Sequence, residues 1–245
     1  MSEAAPNSDP KTIAVLLSTM RSGSTLLKAL LAQAPDISDL PETDFQKFRG
    51  ADARQQIEAL SPEPILVMKR PGWFNEISKY PRLPEVAGLK RIVLVRDAYA
   101  NGLSARKMVF RHVPWLQRSG VGNRFIIERY WAGTNRRLLE MARADTENTV
   151  LVRYEDVLRD PLGETARLFA FLGSAQKDGV DTYGRPQGYD WTWGKDDGGA
   201  VIKSLKVQAP RQLTYDDRKL FAMITNSAAV RSLRRDLGFP ALPAP

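Results

Sequence analysis

Residues 13–48 read IAVLLSTMRSGSTLLKALLAQAPDISDLPETDFQKF, and the rest of the chain is best understood outward from them. The apolar run Ile13-Ala14-Val15-Leu16-Leu17 has the length and content of a buried strand. A small polar turn, Ser18 to Thr25, follows it. The turn runs into a helical pattern, Leu26 to Ala34, that Pro35 stops. Strand, glycine-containing turn and helix make a phosphate-binding arrangement. The turn's N–H groups and the positive end of the helix converge on one point.

The turn is close to the nucleotide-binding pattern G-x-x-x-x-G-K-[ST] but departs from it twice. Gly23 and Thr25 fit its second half, while Ser18 replaces the first glycine and Ser24 replaces the lysine. That lysine normally reaches the outer phosphates of ATP or GTP, so a P-loop kinase of small molecules or nucleotides is the weaker alternative. The nearest cation is Arg21, whose planar fork suits a phosphate or a sulfate. Taken alone, the stretch also fits an ordinary strand-to-helix turn with a solvated arginine.

Beyond this unit, short apolar runs alternate with helical patterns. Phe45, Phe48, Ile57 and Leu60 suggest a loosely amphipathic helix that Pro62-Glu63-Pro64 ends. Strands are expected at Ile65–Met68, Ile92–Val95 and Thr149–Val152. Helices are expected after Asp97, which is placed to cap the first of them, over Asn123–Ala144 and over Pro161–Leu172. Two more are expected in the C-terminal part, the first capped by Thr214 and carrying Leu220, Phe221 and Ile224, the second running through Val230 and Leu233 to Gly238. The alternation implies an α/β three-layer sandwich with a central parallel sheet and a helical C-terminus. Gly173 to Gly199 is rich in Gly, Asp, Tyr and Trp, and reads as long loops near a site mouth. Residues 1–11 read as a disordered lead, and 12–245 as a single domain.

Composition narrows the chemistry. The 245 residues are 43% hydrophobic and 26% charged, ordinary for a globular protein. There is no cysteine, hence no disulfide, thiol nucleophile or thiolate metal site. The single histidine, His112, rules out a His-rich metal cluster. A net charge of +8 suits nucleic acid or a substrate with several phosphates. The basic residues are scattered, without a run interleaved with aromatics, so a nucleotide- or nucleic-acid-binding protein without turnover is only the second alternative. No apolar stretch reaches the roughly 18 residues of a membrane span, and the polar first residues do not form a signal peptide. The default expectation is a cytoplasmic protein, with no membrane or nucleic-acid partner and nothing that sets its oligomeric state.

Three polar sites follow three expected strands. The first is the Arg21 turn. The second is Arg96, with Ser104 eight residues on and about two helical turns into the next helix. Together they suit a second phosphate, separate from the first; spacing alone equally fits a surface arginine and a helical serine. The third is Tyr154, either a ring for stacking on a base or a core tyrosine.

Together these residues resemble the sulfotransferases that use 3′-phosphoadenosine 5′-phosphosulfate (PAPS), a P-loop-like fold. The stretch Met20-Arg21-Ser22-Gly23-Ser24-Thr25-Leu26-Leu27 is similar to the family's 5′-phosphosulfate loop, in the arginine form of the tyrosylprotein and carbohydrate enzymes. Val95-Arg96-Asp97 with Ser104 is similar to its 3′-phosphate motif. Val152-Arg153-Tyr154-Glu155-Asp156 with Asp160-Pro161 is similar to its tyrosine-containing strand end. Order and separation fit from Ile13 to Leu172.

The resemblance implies sulfuryl transfer from PAPS, leaving adenosine 3′,5′-bisphosphate (PAP), to a hydroxyl of a small molecule or natural product. It implies a single sulfotransferase domain that needs no metal. Glu42, in Pro41-Glu42-Thr43, matches the position of the tyrosylprotein enzymes' base, although a cap or surface carboxylate fits the local sequence too. Lys69 or Arg70, at the end of the second strand, would add charge near the leaving group. Lys195 and Lys203 are candidates for the loop that closes over the nucleotide, though the family's form of that loop is missing and both also fit solvated lysines. Trp73, Phe74, Trp115, Trp191 and Trp193 are candidates to line the acceptor pocket.

Overall fold

A computed structural model describes residues 10–112, 120–185, 205–210 and 212–243. Lys195, Lys203, Trp115, Trp191 and Trp193 lie outside the described residues, as do the first nine of the chain.

Four parallel strands form the sheet: β1 (Thr12–Ser18), β2 (Ile65–Lys69), β3 (Lys90–Val95) and β4 (Thr149–Arg153). Their order is β2-β1-β3-β4, with Leu16 opposite Lys69 on one side and Ile92 on the other. The apolar runs are continuous because both faces are covered. Side chains alternate, so Ile13, Val15 and Leu17 join one core with Val93, Ile126, Trp131 and Leu220. Ala14 and Leu16 join the opposite core with Leu27, Leu30, Leu168 and Phe169. The result is the expected three layers. After β1 the chain crosses to β2, then returns past β1 to β3. That reversal opens a crevice at the C-terminal ends of β1 and β3, where α/β sheets bind ligands.

The helices are α1 (Ser24–Leu31), α2 (Ala53–Glu58), α3 (Ala98–His112), α4 (Gly120–Arg124), α5 (Ala132–Ala144), α6 (Tyr154–Arg159), α7 (Pro161–Leu172), α8 (Arg218–Asn226) and α9 (Ala228–Asp236). Three of them differ from expectation. The helix expected from Phe45 to Leu60 is two pieces, a 3₁₀ turn at Phe45–Lys47 and α2, because Gly50 takes a φ of 83° between them. The helix expected from Asn123 to Ala144 contains a π-helical turn, Phe125–Trp131, between α4 and α5. Its wider turn lets Ile126, Ile127, Tyr130 and Trp131 all point inward. Helix α8 is capped by Asp217, whose carboxylate accepts from the Leu220 N–H at 2.9 Å; the hydroxyl of Thr214 is occupied with Asp216. Asp97 caps α3 as expected, accepting from the Tyr99 N–H at 2.8 Å.

Two tethers shape the β2 side. Lys11, assigned to the lead by sequence, donates to the carbonyls of Glu58 and Ser61. The segment between α1 and the 3₁₀ turn runs alongside β2. Ile37 bridges Ile65, Ser38 N–H donates to the Ile65 carbonyl, and Thr43 N–H donates to the Lys69 carbonyl. This brings Glu42 to the end of β2. No helix among the described residues is long and apolar enough to cross a membrane.

Candidate active site

The turn after β1 is shaped by two positive φ angles, Arg21 at 67° and Gly23 at 91°. Gly23 is required twice over. An L-residue disfavours that angle, and a Cβ there would lie 2.2 Å from the Tyr154 ring. Beyond Gly23, α1 begins with no acidic residue in its first turn, leaving its positive end uncompensated. Leu26 turns its side chain into the core, so within this stretch the polar groups come from Arg21, Ser22, Ser24, Thr25 and the backbone.

Distant residues hold the turn from below. The Tyr80 hydroxyl accepts from Ser18 N–H at 3.1 Å and donates to the Arg70 carbonyl at 2.8 Å. The Tyr130 hydroxyl accepts from Met20 N–H at 2.5 Å and donates to the Gly72 carbonyl at 2.6 Å. Burial pushes both phenols well above their ordinary pKa, so both stay protonated and keep both bonds. Asn101, fully buried on α3, points its amide nitrogen at Thr19 Oγ1 (3.3 Å), the Met20 carbonyl (3.0 Å) and Ser22 Oγ (3.2 Å).

The second and third sequence sites meet the first. Arg21 Nε donates to Ser104 Oγ at 2.9 Å, and Arg96 donates to the Arg21 carbonyl at 3.0 Å. Ser104 and Arg96 therefore meet through Arg21, one holding its side chain and the other its carbonyl. Tyr154 is the first residue of α6, and its ring packs on Gly23 with the Arg96 guanidinium 4.7 Å from its centroid. Arg96 Nε is buried without a partner.

Behind Arg96 lies a buried ion pair. Arg234 donates to Asp97 Oδ2 at 2.6 and 3.0 Å, while the other oxygen of Asp97 caps α3. Glu155 accepts from the Asp97 N–H at 3.0 Å, and its second oxygen is buried without a partner. Burial, with Asp97 adding to it, raises the Glu155 carboxyl above its ordinary value.

On the other side of the turn, Lys69 joins the turn to the base candidate. Its ammonium lies 2.7 Å from Glu42 Oε2 and donates to Thr25 Oγ1 at 3.1 Å. Arg70 is engaged elsewhere, bidentate to Glu76 at 2.7 and 2.8 Å and 3.0 Å from Asp44. Of the two cations proposed for this strand end, only Lys69 faces the turn. Nearby, the half-buried Phe74 ring lies 4.2 Å from Tyr130 and 6.3 Å from Phe125, and Trp73 is half-buried beside it.

Comparison with known proteins bears on the fold. A sulfotransferase family model matches residues 88–178, which span β3, Arg96, Ser104 and Tyr154. A sulfotransferase domain from the curacin biosynthetic pathway superposes with a TM-score of 0.59 at 21% identity, over 95% of this chain and 99% of that one. The fold is that of a sulfotransferase. Weaker similarity extends to a sulfotransferase from Alicyclobacillus acidocaldarius (TM-score 0.49, 16% identity, 92% of this chain and 99% of that one). A mouse sulfotransferase complexed with PAP is similar at a TM-score of 0.49 and 15% identity, over 91% of this chain and 88% of that one. No curated protein matches the chain in sequence.

Within this sulfotransferase fold, sequence reading missed Tyr80, Tyr130 and Asn101. The tyrosines contact the turn across 62 and 110 positions, and no local pattern announces such a contact. Asn101 had a usable signal. It lies three residues before Ser104, on the same helical face as a residue already singled out.

Proposed function

We propose that this chain transfers a sulfuryl group from PAPS to the hydroxyl of a small molecule or natural product, with Glu42 as the base. The observation that carries the reading is one cluster at the C-terminal rim of the sheet. Arg21, Arg96 and Lys69 gather there with the hydroxyls of Thr25 and Ser104 and the carboxylate of Glu42. Such a donor set suits a ligand with several negative charges and a hydroxyl to be deprotonated.

The residues present fit the nucleotide. The partnerless Arg96 Nε offers a buried donor beside the Tyr154 ring. The uncapped start of α1 and the turn's N–H groups offer donors on the side of Arg21. The family pattern over residues 88–178 covers the first of these sides.

The chemistry then follows from charge. As the acceptor oxygen bonds to sulfur, the bond from sulfur to the bridging oxygen breaks, and that oxygen keeps the electron pair. Arg21, Lys69 and the backbone donors stabilise the oxygens on which negative charge grows. Glu42 takes the acceptor's proton as it becomes acidic, and Lys69 holds the carboxylate in place. Most of the catalysis is positioning, which a braced turn supplies.

Titration calorimetry tests the reading. PAP should bind about a hundredfold more tightly than 5′-AMP, because a charge-assisted pair of contacts to the 3′-phosphate is worth roughly 3 kcal/mol. Equal affinity for the two nucleotides removes the 3′-phosphate site at Arg96 and Ser104.

A further inference from the structure

Arg21 is the only residue of the turn that is neither glycine nor comfortable in its backbone angle. A φ of 67° is disfavoured for a non-glycine residue, so something must hold it there. The residues on either side of it share one partner. Asn101 donates to the Met20 carbonyl at 3.0 Å and to Ser22 Oγ at 3.2 Å, bracketing Arg21. Arg96 takes the Arg21 carbonyl, and Ser104 takes its Nε. All three holders, Arg96, Asn101 and Ser104, come from one stretch, the end of β3 and the first turns of α3.

The amide of Asn101 has one workable orientation. The Met20 carbonyl can only accept, so the NH₂ must face it and Oδ1 must face away. Oδ1 is left buried without a partner, a cost accepted for the sake of the donor side. The Thr19 and Ser22 hydroxyls, 2.7 Å apart, share the same NH₂ group and are locked to it.

We infer that Asn101 is a positioning residue: it holds Arg21 in its left-handed conformation and so aims the guanidinium across the crevice, making the Arg21 turn and the Arg96–Ser104 segment one rigid unit. This rests on the reading of the site as a PAPS site, and it adds a residue to that site whose effect passes through Arg21.

The test uses the full chain with Asn101→Ala, Arg21→Ala and the double variant, plus the isosteric Asn101→Asp, which turns an oxygen toward the Met20 carbonyl. Asn101→Ala should weaken PAP binding by about tenfold, the loss expected of two hydrogen bonds and a relaxed arginine. In the double variant the Asn101 change should add less than about twofold to the Arg21→Ala loss, since its effect runs through a side chain already gone. Asn101→Asp should be at least as damaging as alanine despite its equal volume. Additive losses, or full affinity in Asn101→Asp, overturn the proposal. A crystal structure of Asn101→Ala decides it without nucleotide. Arg21 relaxing to negative φ supports the role, and Arg21 remaining near its present angle overturns it. Failure of wild-type protein to bind PAP defeats the functional reading instead, and the conformation of Arg21 in that crystal still decides the positioning role.

Discussion

The turn after β1 and the segment carrying Glu42 share one rim of the sheet, but they are held in opposite ways. The turn is fixed by side chains from far along the chain: Tyr80, Arg96, Asn101 and Tyr130. Thr19 and Ser22 within it are fully buried. The Pro41–Asp44 segment is held by its neighbours and by β2. The Thr43 hydroxyl bonds back to the Pro41 carbonyl, Glu42 pairs with Lys69, and Asp44 pairs with Arg70. Glu42, Thr43 and Asp44 are all half-exposed. The difference matches the proposed division of labour. One side must fit a fixed, highly charged donor before it arrives, and the other must adapt to an acceptor.

If that division is right, the largest effect belongs to the lightly held side. Glu42→Gln should lower turnover by about a thousandfold, in the range of a lost general base, while PAP affinity changes less than about twofold. Steady-state kinetics and calorimetry on the same preparation check both halves. Retained turnover removes Glu42 as the base and with it the contrast.

The next effect concerns the braced side. Gly23→Ala meets both a disfavoured φ and the Tyr154 ring, so the melting temperature should fall by about 5 °C. Thr43→Ala, on the other side, should shift it by less than about 1 °C. Similar shifts in the two variants would show that the two sides are equally rigid.

Tyr130→Phe sharpens the contrast at smaller scale. It leaves the buried Met20 N–H and Gly72 carbonyl without their partner, at about 1–2 kcal/mol, and should lower the melting temperature by about 3 °C. An unchanged melting curve would mean that the turn does not depend on the phenol.

The smallest effect is a pH dependence behind Arg96. Burial holds the Glu155 carboxyl above its ordinary value, so the folded protein favours its neutral form. Its contribution to stability is complete below the ordinary carboxyl range and is lost as pH rises through the raised value. Glu155→Gln keeps an acceptor for the Asp97 N–H and never charges. Its melting temperature should match wild type near about pH 4 and exceed it by about 2 °C near pH 8. Thermal melts across that range check the sign, and a gap that shrinks with rising pH contradicts it.

The four strands were legible because burial on both faces leaves an uninterrupted apolar run, as in Ile13–Leu17 and Ile92–Val95. Arg21 and Arg96 stood out in the sequence because each follows an apolar strand at a place where such sheets bind ligands, whereas Glu42 stood out only through the family resemblance of Pro41-Glu42-Thr43. The π-helical turn was not, because one extra residue per turn shifts the apolar period by less than a short helix reveals. The α8 cap was misplaced because Thr214 and Asp217 are both good caps, and only the structure shows which oxygen reaches the Leu220 N–H. Tyr130 was missed because its partners are far away in the chain; those of Asn101 are as far, and only its place one helical turn before Ser104 marked it.

The segment that runs beside β2 has a consequence outside catalysis. Among the described residues β2 ends the ladder of strands, and a bare end strand offers N–H and C=O groups to any other chain. Here Ile37, Ser38 and Thr43 occupy that flank, with Ser38 Oγ also accepting the Val67 N–H at 3.1 Å. The residues that deliver Glu42 thus also shield the flank of the sheet from self-association. A deletion that shortened this segment would lose turnover and begin to aggregate together, two defects with a single origin.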